Sequence, residues 1–226
     1  MIRTQAALMV SAANGAPATE SKRTMRIHTG LAVIAAWFAL VPPPAATTPA
    51  AAAEARAAVN LHPSVRYMQN VARDLLRAQR VGTRRAFIGV ISRHADVPSI
   101  ASYALGRYRG KLRPGRKATY YRAVVRFMAR YFATEAPKYP VARSFIEKQP
   151  RRDGANWLVR SRVDLKTGGS YEIIWTLAPR RGGYRIVDVK VMGFSLSVMQ
   201  RGIFYEYLQK KNGDVEALIA ALYRAG

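Results

Sequence analysis

Between Asn156 and Val191 the chain alternates apolar and polar residues in three successive runs, with a glycine pair between each run and the next. Trp157, Val159, Val163 and Leu165 fall on one side of the first run, opposite Arg160, Arg162 and Asp164. Tyr171, Ile173, Trp175 and Leu177 make the second; Val187, Val189 and Val191, with Arg185, Asp188 and Lys190, make the third. A period of two is that of a strand buried on one face. Thr167-Gly168-Gly169-Ser170 and Arg181-Gly182-Gly183 are hairpin turns, so the strands run antiparallel with no crossover. A fourth, weaker strand is expected from Ala142 to Lys148, joined through Asp153-Gly154.

The segments on either side have a helical period. Ser64 is placed to cap a helix carrying Val65, Met68, Ala72, Leu75 and Leu76. Gly82 stops it, and Thr83 caps the next, which buries Phe87, Val90 and Ile91. Asp96-Val97-Pro98 starts a third helix over residues 97–105, ending at Gly106. Pro114 and Gly115 open a long one, with Tyr120, Tyr121, Val124, Val125, Met128, Tyr131 and Phe132 on a wide apolar face and Arg122, Arg126 and Arg130 opposite, until Pro137. After the strands come helices over 198–211 and 215–223, the second opened by Gly213-Asp214. Helices, a meander, then helices predict an α+β fold: a curved antiparallel sheet of about four strands with helices packed on one face. Residues 64–226 form a single domain on this reading.

The chain has no cysteine, which excludes disulfides, thiolate catalysis and cysteine zinc sites. His62 and His94 stand apart in sequence, a poor basis for a metal site or a triad. The net charge of +24 predicts attraction to something anionic: nucleic acid, membrane or an acidic partner. The excess concentrates between Arg80 and Lys117, where ten Lys and Arg accompany one acid, Asp96. Arg107, Arg109, Lys111, Arg113, Arg116 and Lys117 are the candidates there for contact with anionic headgroups, a membrane or a partner.

Residues 1–53 read as a leader. Arg26 precedes an apolar run over 30–41, then Pro42-Pro43-Pro44 and an alanine-rich stretch ending at Ala53. That run is shorter than the ~20 residues of a spanning helix and has the layout of a cleavable secretory signal. Met25 is the expected true start, with cleavage near Ala53 and a flexible lead-in over 54–63.

Three ordered segments carry a resemblance: Asp96 followed by Ala104-Leu105-Gly106-Arg107-Tyr108, the run "YRIVDVKVMGFSL" from Tyr184, and "GFSLSVMQRGIF" followed by "NGDVEALIAAL". In this order the chain resembles the MlaC/toluene-tolerance family over about residues 65–223. These are periplasmic phospholipid-binding proteins that serve an ABC transporter in Gram-negative bacteria. Arg109 stands where the family usually has Trp, and Met192 where an acid often precedes the glycine. The family's Ser/Thr-Pro-Glu-Gln-Arg turn is replaced by Arg113-Pro114-Gly115-Arg116-Lys117.

The resemblance implies a periplasmic, non-enzymatic carrier without cofactor or metal. Its cargo would be a phospholipid or, as in a related subfamily, a hopanoid-related lipid. Its partners would be the substrate-binding component of an inner-membrane ABC transporter and an outer-membrane lipoprotein complex, with transient contact with anionic membrane and none with nucleic acid. A carrier needs an apolar cavity, because acyl burial contributes ~0.8 kcal/mol per CH₂. Family placement puts Tyr103, Val124, Met128, Phe132, Val163, Ile173, Trp175, Val189, Val191, Phe194 and Phe204 on that cavity. Two other classes compete. Arg and Tyr side by side at Arg107-Tyr108-Arg109 and Tyr120-Tyr121-Arg122 would suit phosphate contact and base stacking. A small-molecule enzyme on a cone-shaped α+β fold would use Asp164 or Asp188 as its base.

Overall fold

A computed structural model describes residues 61–225. The leader, Met25 and most of the lead-in lie outside the described residues. Helix α1 spans Pro63–Val81. Its cap is His62 rather than Ser64: Pro63, whose preset φ and missing N–H suit a first helical position, starts the helix, and His62 Nδ1 accepts from the Ser64 amide at 3.2 Å. Gly82 closes it in the left-handed conformation (φ 69°). Thr83 caps α2, Arg84–His94, and Asp96 caps α3, Val97–Leu105, each through its side-chain oxygen. Gly106–Lys111 and Pro114–Arg116 are 3₁₀ turns, so the long helix, α4, begins only at Lys117 and runs to Glu135. Pro137 lies in a further 3₁₀ turn, Ala136–Lys138.

The sheet follows: β1 (Val141–Ile146), β2 (Arg151–Asp153), β3 (Asn156–Leu165), β4 (Ser170–Arg180), β5 (Gly183–Val191) and β6 (Phe194–Ser195). Helices α5, Leu196–Lys210, and α6, Val215–Ala225, complete the chain. All strand pairs are antiparallel, in the order β1-β3-β4-β5-β6, and the sheet does not close. β1 and β2 are two pieces of one edge. Both pair with β3, and the ladder is lost around Pro150, which has no N–H to donate. Six strands thus stand where about four were expected; β2 and β6 are too short to display a period.

A bulge corrects the expected pattern of β5. Thr176 pairs with Asp188, but Leu177 pairs with Ile186, leaving Val187 as an extra residue. Ile186 therefore turns inward and is buried, in the place that strict alternation assigns to Val187. The bulge carbonyl of Val187 accepts from Ser197 Oγ at 3.2 Å, and Asp188 Oδ1 accepts from the Ser197 amide at 3.1 Å, which anchors the start of α5.

The helices lie on one side of the sheet. α1 crosses β1, β3 and β5, while α2, α3 and α5 flank β5. Met68 and Val71 of α1 pack on Val159, Leu177 and Ile186. A second apolar group joins α1, α2 and α4 through Ala78, Phe87, Ile91, Val125 and Ala129. The third and largest joins α3, α4, α5 and α6 around Tyr120, Val124, Phe204 and Leu218. Asp96 ties helices to sheet: its amide donates to the Ile186 carbonyl at 2.8 Å, and its Oδ2 accepts from Arg180 Nε and Nη2 at 2.9 and 2.6 Å.

Candidate functional site

Pairing across β3, β4 and β5 brings two rows of inward side chains to the helical side. At one end Val159, Leu177 and Ile186 are covered by α1. At the other end Val163, Tyr171, Ile173 and Val191 share the same face, through the pairs Val163–Tyr171 and Ile173–Val191, and stand outside the three packed groups. Long helix α4 packs on α2, α3 and α6 rather than on the strands. Its half-buried Met128 and Phe132 lie one turn apart, beside Tyr131. α4 and the inward row at this end of the sheet thus belong to separate packed surfaces.

Three tyrosines mark this end. Burial raises the Tyr131 phenol above its usual value, with Glu135 and then Tyr139 adding to it. Burial likewise raises Tyr171, with Tyr139 adding. Tyr139 sits in the loop leaving α4, which Gln79 of α1 holds by donating to the carbonyls of Ala136 and Tyr139 at 3.1 and 3.0 Å. Deeper along the sheet, the Trp175 indole donates to the buried Ser161 hydroxyl at 2.8 Å. On α5, Gln200 shares a face with Phe204 and Leu208; it is 8% exposed and its amide nitrogen has no partner.

Of the expected lining residues, Met128 and Phe132 lie on α4 against the helical groups, and Val163, Ile173, Trp175, Val189 and Val191 lie on the inner face of the sheet, Trp175 and Val189 against the α1 group. Val124 and Phe204 have no exposed surface and lie in the helical core. Tyr103 and Phe194 are on the outside, 42% and 63% exposed. Tyr171, Tyr131, Ser161 and Gln200 were not singled out for the site from sequence. Period two places Tyr171 and Ser161 inward, and the four-residue step to Phe204 places Gln200.

The basic candidates divide. Arg116 is engaged by Glu216 in a two-pronged pair at 2.7–3.0 Å, joining the start of α4 to α6. Arg107 stacks between the rings of Tyr108 and Tyr205, at 5.0 and 4.7 Å. Lys111 lies over Tyr108 and donates to the Asn212 carbonyl at 3.3 Å. Arg109, Arg113 and Lys117 are exposed. Neither candidate base is set up for catalysis. Asp164 lies on the outer face between Arg143 and Arg162, at 4.0 and 3.3 Å, and Asp188 is the anchor of α5.

Two open hollows are present. One, of about 500 Å³, spans β1, β3 and β4 and mixes inward Ser161 and Tyr171 with outward Phe145, Arg162 and Glu172. The other, of about 390 Å³, lies around Asp96 and Arg180. Among the described residues no three His, Asp or Glu are grouped to hold a metal, and no helix is long and apolar enough to cross a membrane.

Comparison with known proteins gives the same segment order a family. Residues 67–224 match the family model described as MlaC protein. No curated protein matches the sequence. Among solved structures, the chain is similar to the phospholipid-binding protein from Ralstonia solanacearum, in complex with a phospholipid, at TM-score 0.60 and 18% identity, over 72% of this chain and 95% of that one. The likeness establishes a shared α+β fold.

Proposed function

The chain belongs to the MlaC protein family, and from that membership we propose that it is a non-enzymatic carrier that holds the acyl chains of a phospholipid, or of a hopanoid-related lipid, between α4 and the open end of the sheet. The observation that supports this reading is the inward row of Val163, Tyr171, Ile173 and Val191 at the open end of the sheet, which belongs to none of the three packed groups, together with half-buried Met128 and Phe132 on α4. That a protein of the same fold holds a phospholipid supports it.

Entry of acyl chains would stabilise the complex by ~0.8 kcal/mol per buried CH₂. Met128 adapts its shape to a variable chain. Tyr131 and Tyr171, whose phenols burial raises, keep their hydroxyls protonated at neutral pH and would offer donors to a glycerol ester or phosphate at the mouth. The carrier would work in the periplasm after cleavage of its leader. It would exchange lipid with the substrate-binding component of an inner-membrane ABC transporter and with an outer-membrane lipoprotein complex, touching anionic membrane transiently and without a nucleic-acid partner. Lipid extraction and mass spectrometry of the purified protein test the reading: one diacyl or hopanoid-related lipid per chain supports it, and a protein that cannot be loaded from liposomes refutes it.

A further inference from the structure

Seven large hydrophobic residues are exposed among the described residues, and five of them belong to one region of the fold: Tyr103 on α3, Met192 and Phe194 around β6, and Val198 and Tyr205 on α5. Val198, Arg201 and Tyr205 follow one another at helical spacing along an exposed stripe of α5, about a quarter turn from the buried stripe of Gln200, Phe204 and Leu208, about 10 Å of helix in all. Arg201 lies over the Tyr103 ring at 5.0 Å and Arg107 over the Tyr205 ring at 4.7 Å, which joins α3 and α5 into one surface. A guanidinium over a ring can still donate to phosphate; Arg107 uses Nη2 on the Tyr108 hydroxyl at 2.9 Å, which leaves its other N–H groups. Glu206 is the one acid of this stretch of α5.

We infer that this surface, centred on Val198, Arg201 and Tyr205, docks on an anionic lipid bilayer. Tyrosine and arginine suit the headgroup layer, while Phe194 and Val198 can enter the acyl boundary. Each cation near an anionic leaflet contributes about 1 kcal/mol, screened by salt. An acidic protein face would meet the cations but would leave a separate, non-lipid occupant for Phe194 and Val198 to find. The inference rests on the carrier reading only in that a carrier must reach a membrane; the surface is apart from the lining residues on α4 and the sheet.

The test is flotation with vesicles of phosphatidylcholine, alone or with phosphatidylglycerol added. Binding is expected with the anionic vesicles and not the neutral ones, with loss at high salt. Arg201→Glu and Val198→Asp should each weaken it roughly tenfold. Arg84→Glu, the same charge change on exposed α2, should weaken it less than about twofold. Because the chain has no cysteine, Val198→Cys can carry an environment-sensitive dye alone. Its emission should shift blue on anionic vesicles, while dye at Val81→Cys, exposed elsewhere, should not shift. Equal loss with Arg84→Glu, equal shifts at both dye positions, or binding only to a protein partner would overturn the inference. Lipid retention, read by mass spectrometry on the same samples, separates failure of the carrier reading from failure of the docking surface.

Discussion

Trp175 and Ser161 form a closed polar pair on the inner face of the sheet, with the indole N–H donating to the serine hydroxyl at 2.8 Å. The pair removes the one polar group of the indole from the interior and leaves its apolar body available there. Ser161→Ala should leave the N–H unpaired and cost about 1 kcal/mol, a fall in Tm of roughly 2–4 °C. Adding Trp175→Phe to that variant should recover most of the loss of hydrogen bonding. Thermal unfolding of the single and double variants checks both.

Ile173 and Val124 differ in burial, and the carrier reading assigns only Ile173 to the lining. Ile173 is half-buried at the open end of the sheet, whereas Val124 has no exposed surface. Ile173→Glu should leave a folded protein with lipid occupancy at least about tenfold lower, because a carboxylate there opposes acyl chains. Val124→Glu should instead prevent folding. Circular dichroism with lipid extraction distinguishes the two outcomes.

Asp96 both caps α3 and pairs with Arg180. Burial pushes its carboxyl up, but hydrogen bonds from Ser99 and Arg180 outweigh burial and hold it below the usual range. Asp96→Ala removes cap and ion pair together and should cost about 2–3 kcal/mol in urea unfolding. Arg180→Ala, which spares the cap, should cost less than half of that.

Asp74 is held below the usual carboxylate range, first by the hydrogen bond with His94 and then by Arg93. A depressed folded pKa means that its contribution is complete above the ordinary carboxylate value and is lost as pH falls through the lower, folded one. Asp74→Asn should therefore flatten part of the acid limb of the stability–pH curve and cost about 1 kcal/mol at neutral pH. An unchanged acid limb in chemical denaturation would contradict this.

Gly213 sits at φ 74°, where an added Cβ would lie 2.8 Å from the Tyr108 ring and 2.5 Å from Lys111 Nζ. The lysine can move, but the ring is held in the helical core, so Gly213→Ala should cost more than about 1 kcal/mol. A variant as stable as the parent would show that the α5–α6 turn is looser than described.

The three long strands were legible because their period survives in residues such as Trp157, Val159, Ile173 and Trp175. Thr83, Asp96 and Gly82 marked helix ends for the same local reason. Ile186 was misplaced because a bulge has no signature in alternation; it goes with Ser197 of α5 donating to the Val187 carbonyl and the Asp188 carboxylate. His62 replaced Ser64 as cap because the proline between them sets the first turn. At the site, the sequence supplied the apolar rows but not which helix would close them. Val124 and Phe204 have the same chemistry as Met128 and Phe132, and only packing decides that the first two are core. Arg107 and Arg116 look alike in sequence, yet one is stacked on tyrosines and the other committed to Glu216.

Native mass spectrometry of the protein purified from a bacterial periplasm, followed by lipid identification, tests the central claim most directly. The account predicts one lipid with acyl or hopanoid-type hydrocarbon per chain, lost in Ile173→Glu. A folded protein that emerges bare and stays bare after incubation with liposomes would contradict it.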